Sequence, residues 1–267
     1  MIFQRRGGGL LAVTQPDHGR LAGLIAGAWG GAAWRPEPWG PVKLSAHHHD
    51  DGWAAWEESP TLHPDGRPVD FLTLAAPERV EIYRRSVDMV AGKDLYAGML
   101  TSLHVTGLFL GRYTPGHGRA IDQLGPDDHS LVSRFVAEQE AWRQQVATRL
   151  DASNLWAQYH VLQVFDMLSL TLCMRADTEL EGLSFDRVPF EAGEAPIAMG
   201  VRRAGDRLVL RPWPLEAGEV TVGVDARALP ATRFPDVGTY RQALRAAPVT
   251  HLEFRLVRGN EPANGTG

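Results

Sequence analysis

The chain has 267 residues, 44% of them hydrophobic, a formal net charge of −5 and one cysteine. That is enough apolar material for a substantial core, and a weakly acidic balance without runs of like charge excludes the electrostatic footprint of a protein that tracks long nucleic acid or an anionic membrane. The lone Cys173 excludes an internal disulfide framework and is expected of a reducing cytoplasm, and no stretch approaches the length needed to span a bilayer.

In chain order, residues 1–4 and 10–14 flank Arg5-Arg6-Gly7-Gly8-Gly9 and predict a hairpin. Thr14 can cap a helix that Pro16 starts and Gly30-Gly31 closes after Trp29. A connector over 32–42 carries Pro36, Pro38 and Pro41 and leads into a helix that holds His49 and Asp50 and runs to about Glu58, where Ser59-Pro60 stops it. Residues 61–74 read as a loop turning at Pro64-Asp65-Gly66, long enough to serve as a lid or substrate-binding element. Helical periodicity then returns over 77–90, 93–113, 127–150 and 153–175. From about residue 183 the pattern changes to short strands at 198–202, 207–210, 220–224 and 252–256 between Gly, Pro and Asp turns. The expected organisation is a helical unit over 1–180, a small β-rich region over 181–258 and a disordered tail over 259–267.

Polar residues on apolar helix faces single out a site. His18 shares its face with Leu21, Ala22, Ile25 and Trp29, and His49-Asp50 stands in a second segment that otherwise reads as buried helix. Imidazole nitrogen and carboxylate oxygen together suit a borderline or hard divalent cation, so these residues form a candidate metal site.

The segments Asp17-His18-Gly19-Arg20 and His49-Asp50-Asp51-Gly52 resemble the first two signatures of the HD-domain superfamily of metal-dependent phosphohydrolases. The third signature of that superfamily, a lone acid on a later apolar helix, is matched by Asp166, which lies on a stripe with Leu155, Tyr159, Leu162, Leu170 and Cys173. Burying an unpaired carboxylate costs several kcal/mol, so an acid is kept there mainly when a cation or strong donors meet it. More narrowly, Gln15-Pro16-Asp17-His18, the segment from His48 to Trp53, Ser102-Leu103-His104 and Arg211-Pro212-Trp213-Pro214 resemble an uncharacterised bacterial family, domain of unknown function 3891.

The superfamily resemblance implies a mainly α fold, an HD-like helical bundle with a short N-terminal hairpin and a small β-rich C-terminal region. It implies that His18, His49, Asp50 and Asp166 hold one divalent ion (Mn, Fe, Co, Ni or Mg), and that His48, Asp51 and His104 act around it. His47, His48, His49 and Asp50 would point in directions about 100° apart on one regular helix and cannot all meet one ion. Arg20, one turn from His18, and Arg112 and Arg119, flanking the loop after the His104 segment, are candidates to bind a substrate phosphate. A solvent-facing arginine is the plainer reading of each. The tryptophans Trp29, Trp34, Trp39, Trp53 and Trp56 cluster near the two histidine segments and could stack a nucleobase or simply fill the core. The expected activity is hydrolysis of a small phosphorylated molecule by metal-activated water, with no long nucleic acid or membrane as partner and with oligomers allowed. Two other readings stay open: a di-iron oxygenase using His104, and a sensor module that binds without turnover.

Overall fold

The computed structural model describes residues 1–113, 120–175 and 183–259. Strands β1 (Ile2–Arg6) and β2 (Gly9–Val13) form the expected hairpin, turning at Gly7 with φ +57°, where a side chain would be strained. Every residue of β2 is buried. Its alternation explains why: Leu11 and Val13 enter the main core, while Leu10 and Ala12 face a second, smaller cluster with Leu229, Tyr240 and Leu244. A run buried on both faces loses the hydrophobic–polar alternation of a half-exposed strand.

Thr14 caps α1 (Gln15–Ala28), its hydroxyl accepting from the Asp17 backbone N–H, as the sequence predicts. The next helices are α2 (Trp39–His48), the short α3 (Ala54–Glu57), α4 (Ala76–Ala91), α5 (Leu95–Phe109), α6 (Pro126–Ala147) and α7 (Leu155–Met174). After α7 come β3 (Leu183–Val188), β4 (Ile197–Ala204), β5 (Arg207–Arg211) and β6 (Glu219–Leu229), then α8 (Val237–Ala246) and β7 (Val249–Arg258). None of the helices among the described residues is long and apolar enough to cross a membrane.

The expected mainly α bundle with a small β region is corrected here. Among the described residues about 48% are helix and 21% strand, and the strands form one large curled mixed sheet in the order β1-β2-β6-β7-β5-β4-β3. Among the described strands only β5 and β7 pair in parallel. The N-terminal hairpin joins the C-terminal strands through β2 and β6, with Leu11 opposite Ala228. Such a pairing leaves no local trace, because it is set by two segments some two hundred positions apart in the chain. Of the expected disordered tail over 259–267, Gly259 is described and donates its N–H to the Leu210 carbonyl oxygen, and 260–267 lie outside the described residues.

This sheet supports the helices that matter for chemistry. Helix α1 packs on β6, and α7 packs on β1 and β3. Helix α2 lies against α1, α5 and α7. The approach of α1 to α2 requires missing side chains. A Cβ on Gly19 would come 2.9 Å from the His47 carbonyl oxygen, and one on Gly23 would come 2.7 Å from His47 Cβ. Gly19→Ala should therefore push α2 away. The overpacking cost is about 1–3 kcal/mol, offset by up to ~1 kcal/mol of helix propensity. The expected outcome is a thermal midpoint lowered by a few degrees in circular dichroism; an unchanged midpoint would show that the two helices do not depend on this contact.

Candidate functional site

The site lies where α1, α7 and the end of α2 meet. The segment around His49 departs from the expected continuous helix. Helix α2 stops at His48, His49 is its C-cap, Asp50 takes φ −113° and ψ 12°, and a single 3-10 turn (Asp51–Trp53) follows. Neighbouring residues of a regular helix project about 100° apart, and the break at Asp50 turns His49 and Asp50 toward one another. Gly52 permits the break: a Cβ there would lie 2.3 Å from the Ile82 carbonyl oxygen, and its N–H donates to Ser86 Oγ on α4.

Four side chains then converge, all buried. His18 Nε2 lies 3.0 Å from Asp166 Oδ1 and 3.9 Å from Asp50 Oδ2. His49 Nε2 lies 3.4 Å from Asp166 Oδ1 and 3.6 Å from Asp50 Oδ2. The hydrogen bonds behind the rings decide which nitrogens face inward. His49 Nδ1–H donates to the Ala46 carbonyl oxygen, so Nε2 is the nitrogen left for the cluster, and it has no hydrogen-bond partner. Ser169 Oγ donates its one proton to the Asp166 carbonyl oxygen, so it can only accept from His18 Nδ1. In a neutral ring His18 Nε2 then presents a lone pair to a carboxylate oxygen. Two acceptors at that distance need a cation between or beside them, either a proton or a metal ion.

The spacing suits a metal ion. Ligand atoms about 2.0–2.2 Å from one ion, at angles between 90° and tetrahedral, stand roughly 3.0–3.5 Å apart. Three of the four contacts above fall at or within about 0.1 Å of that range, and the His18–Asp50 separation is wider. His18, His49 and Asp166 offer ligand atoms within 4.8 Å of one another, as do His49, Asp50 and His104. Both groups draw on His49, whose Nδ1 is already committed to Ala46. One imidazole nitrogen serves one ion, so the two groups describe a single centre rather than two.

The charges are coupled. Burial alone would lower the His49 pKa, but the Asp50 charge and the contact with Asp166 outweigh it and raise it to about 9. Burial would raise Asp166, yet the hydrogen bond to His18 and the contact with His49 hold it well below the usual carboxylate range. Asp50 is pushed upward by burial, with His49 and His18 opposing.

His104, on α5, joins the same cavity. Its ring stands 4.6 Å from that of His49, and its Nδ1 is 2.6 Å from the Tyr113 hydroxyl. Burial holds the Tyr113 phenol well above its ordinary pKa, and so neutral. The cavity is lined by His18, Asp50, His104 and Asp166, together with Gln15, Trp53, Phe71, Arg79 and Tyr83. Its free space, open to solvent, is about 380 Å³ and has room for an ion or a water.

Other expected site residues stand elsewhere. His48 Nδ1 and Asp51 Oδ2 pair at 2.7 Å, with the Lys93 ammonium beside them, and neither lines the cavity. The helix break that aims His49 and Asp50 inward leaves these two outside. Arg20 is exposed and paired with Asp17. Arg112 stacks on the Trp156 ring and does not line the cavity. Arg119 lies outside the described residues. Of the tryptophans, Trp53 lines the cavity, whereas Trp29 and Trp39 pack edge-on against Phe165 in the core.

Sequence reasoning missed Ser169 and Arg79. Ser169 follows Asp166 by three positions and so shares its helix face, a visible signal. Arg79 sits on the stripe of Ala76, Tyr83 and Val87, where a charge among apolar neighbours was equally visible.

The chain belongs to the family described as protein of unknown function DUF3891, whose model matches residues 1–231. No curated protein and no solved structure matches it.

The coupled charges make the metal-free protein pH-sensitive. A histidine whose folded pKa exceeds its unfolded value of about 6.5 contributes stability that is complete below that value and is lost as pH rises through the folded pKa. For His49 the window runs from about 6.5 to about 9, and the contribution is on the order of 3 kcal/mol. In chelator, the urea midpoint should fall between pH 6.5 and 9, and His49→Gln should flatten that slope; a parent midpoint that rises across the same interval would contradict the assignment.

Proposed function

We propose that this protein is a metal-dependent hydrolase that attacks a small phosphorylated substrate, with His18, His49, Asp50 and Asp166 as ligands to one divalent ion. The observation that carries this reading is the pair of imidazole Nε2 atoms, their Nδ1 sides committed to Ser169 and Ala46, turned toward two buried carboxylates. The order His, His-Asp, Asp along the chain also resembles the ligand order of the HD-type phosphohydrolases. That likeness is one of residues and spacing, and the large mixed sheet sets this fold apart from a helical HD bundle.

A bound divalent ion would supply Lewis acidity and a water acidified toward neutral pH. The remaining work falls to side chains. Asp50 and Asp166 match the ion's charge, so an incoming phosphate meets a centre that is not negative. Ser169 and the Ala46 carbonyl hold the two rings in the ligating tautomer, the kind of support whose loss typically costs 10–100-fold in metal affinity. His104 stands beside the cluster and is placed to contact a phosphoryl oxygen or to hand a proton to the departing alcohol, a role that typically contributes 10²–10⁴-fold. Trp53 and Phe71 give the cavity apolar surface.

Elemental analysis of protein purified without chelator should find about one metal per chain, and a panel of nucleotides and simple phosphate esters should include a substrate. Asp166→Asn should remove both the metal and the turnover, while Ser169→Ala should keep the fold and weaken metal binding by about tenfold or more. His104→Ala should keep the metal and lose on the order of a hundredfold in turnover. A parent chain that holds one metal and cleaves none of the panel would overturn the hydrolase reading, and equal metal content in Asp166→Asn and parent would overturn the ligand set.

A further inference from the structure

Arg79 is a buried charge with no partner of opposite sign. It lies on α4, is 5% exposed, and its Nε makes no hydrogen bond. Among the described residues no carboxylate comes within ion-pair distance of its guanidinium, although Asp50 and Asp166 line the same cavity. Its contact is the face of the Phe109 ring, 5.1 Å from the guanidinium carbon to the ring centroid. A largely buried cation with its Nε unpartnered and an aromatic ring beneath it is costly unless an anion arrives to meet it. Folded chains keep such a group mainly where a ligand completes it.

Resting on the hydrolase reading, we propose that Arg79 is the anion-binding residue of the site and receives the phosphoryl head of a phosphate monoester. Two observations choose the ligand. The guanidinium fork matches two phosphate oxygens through paired hydrogen bonds, and it lines the same cavity as His104 and three of the four proposed metal ligands, His18, Asp50 and Asp166. Charge agrees as well: a divalent ion balanced by Asp50 and Asp166 is formally neutral, so Arg79 supplies the positive charge that attracts a dianion. Phe71 and Trp53 line the same cavity and offer apolar surface to the rest of the substrate. Arg79 therefore selects the head, not the alcohol.

The test is a calorimetric titration of inorganic phosphate and of acetate into the manganese-loaded full chain, with metal content measured on each sample. The parent should bind phosphate and bind acetate more weakly. Arg79→Gln should keep the metal and lose about tenfold or more in phosphate affinity, with Arg79→Lys in between because an ammonium cannot make the two-pronged contact. Phosphate affinity unchanged in Arg79→Gln overturns the proposal while leaving the hydrolase reading intact. Acetate binding as tight as phosphate overturns the phosphoryl assignment. Should the parent hold no metal, the hydrolase reading fails by itself, and the question becomes whether phosphate raises the melting temperature of the metal-free parent but not of Arg79→Gln: protection confined to the parent supports Arg79 as the anion site, and equal or absent protection overturns it. Arg79→Met guards against misfolding as the explanation. Without phosphate it should melt at or above the parent temperature, since it removes an unpaired buried charge, and a marked fall would make Arg79 a structural residue and overturn the proposal.

Discussion

Two carboxylates and two imidazoles share a space from which water is largely excluded, and the helical half of the molecule is arranged around that burden. Isolated, each buried carboxylate would cost several kcal/mol. Together with rings that can carry protons, or with a cation in their place, the cluster becomes neutral enough to bury. The same electrostatics that raises His49 and lowers Asp166 in the metal-free chain is what would bind a divalent ion, because proton and metal compete for the same lone pairs.

Meeting that constraint takes backbone as well as side chains. Gly19 and Gly23 let α1 lie directly on the His47 backbone. Gly52 lets the chain turn against α4 at the point where α2 breaks. Helices α1 and α7 sit on strands drawn from both ends of the chain, so the sheet serves as the platform that sets their separation. The buried ion pair between the Met1 ammonium and Glu57, at 2.6 Å, ties the first residue to α3, and Glu57 also accepts from the Gln15 backbone N–H at the cavity's edge. Even the hairpin, remote in function, is thereby joined to the wall of the site.

The candidate ligands were legible because burial of a polar group is costly: His18 and Asp166 stand out as polar residues on apolar stripes, and the structure brings them together with His49 and Asp50. The resemblance places His48 and Asp51 at the same site, whereas the break after His49 leaves them paired with each other beside Lys93. Arg20, Arg112 and Arg119 were chosen for their nearness in sequence to other site residues. Arg79 shares no local sequence with any ligand, and reaches the cavity only because α4 packs against α5 and the turn at Gly52.

What the sequence by itself determined was local: the N-terminal hairpin, the Thr14 cap, the positions of the long helices and the identity of buried polar residues, each set by short-range sterics, periodicity or the cost of desolvation. Tertiary structure alone decided that the strands form one seven-stranded sheet instead of an appendage, that α2 ends where it does, and which charged residues share a cavity. Those outcomes depend on pairing and packing between segments far apart in the chain, whose free energy is shared between both partners and so cannot be read from either one alone.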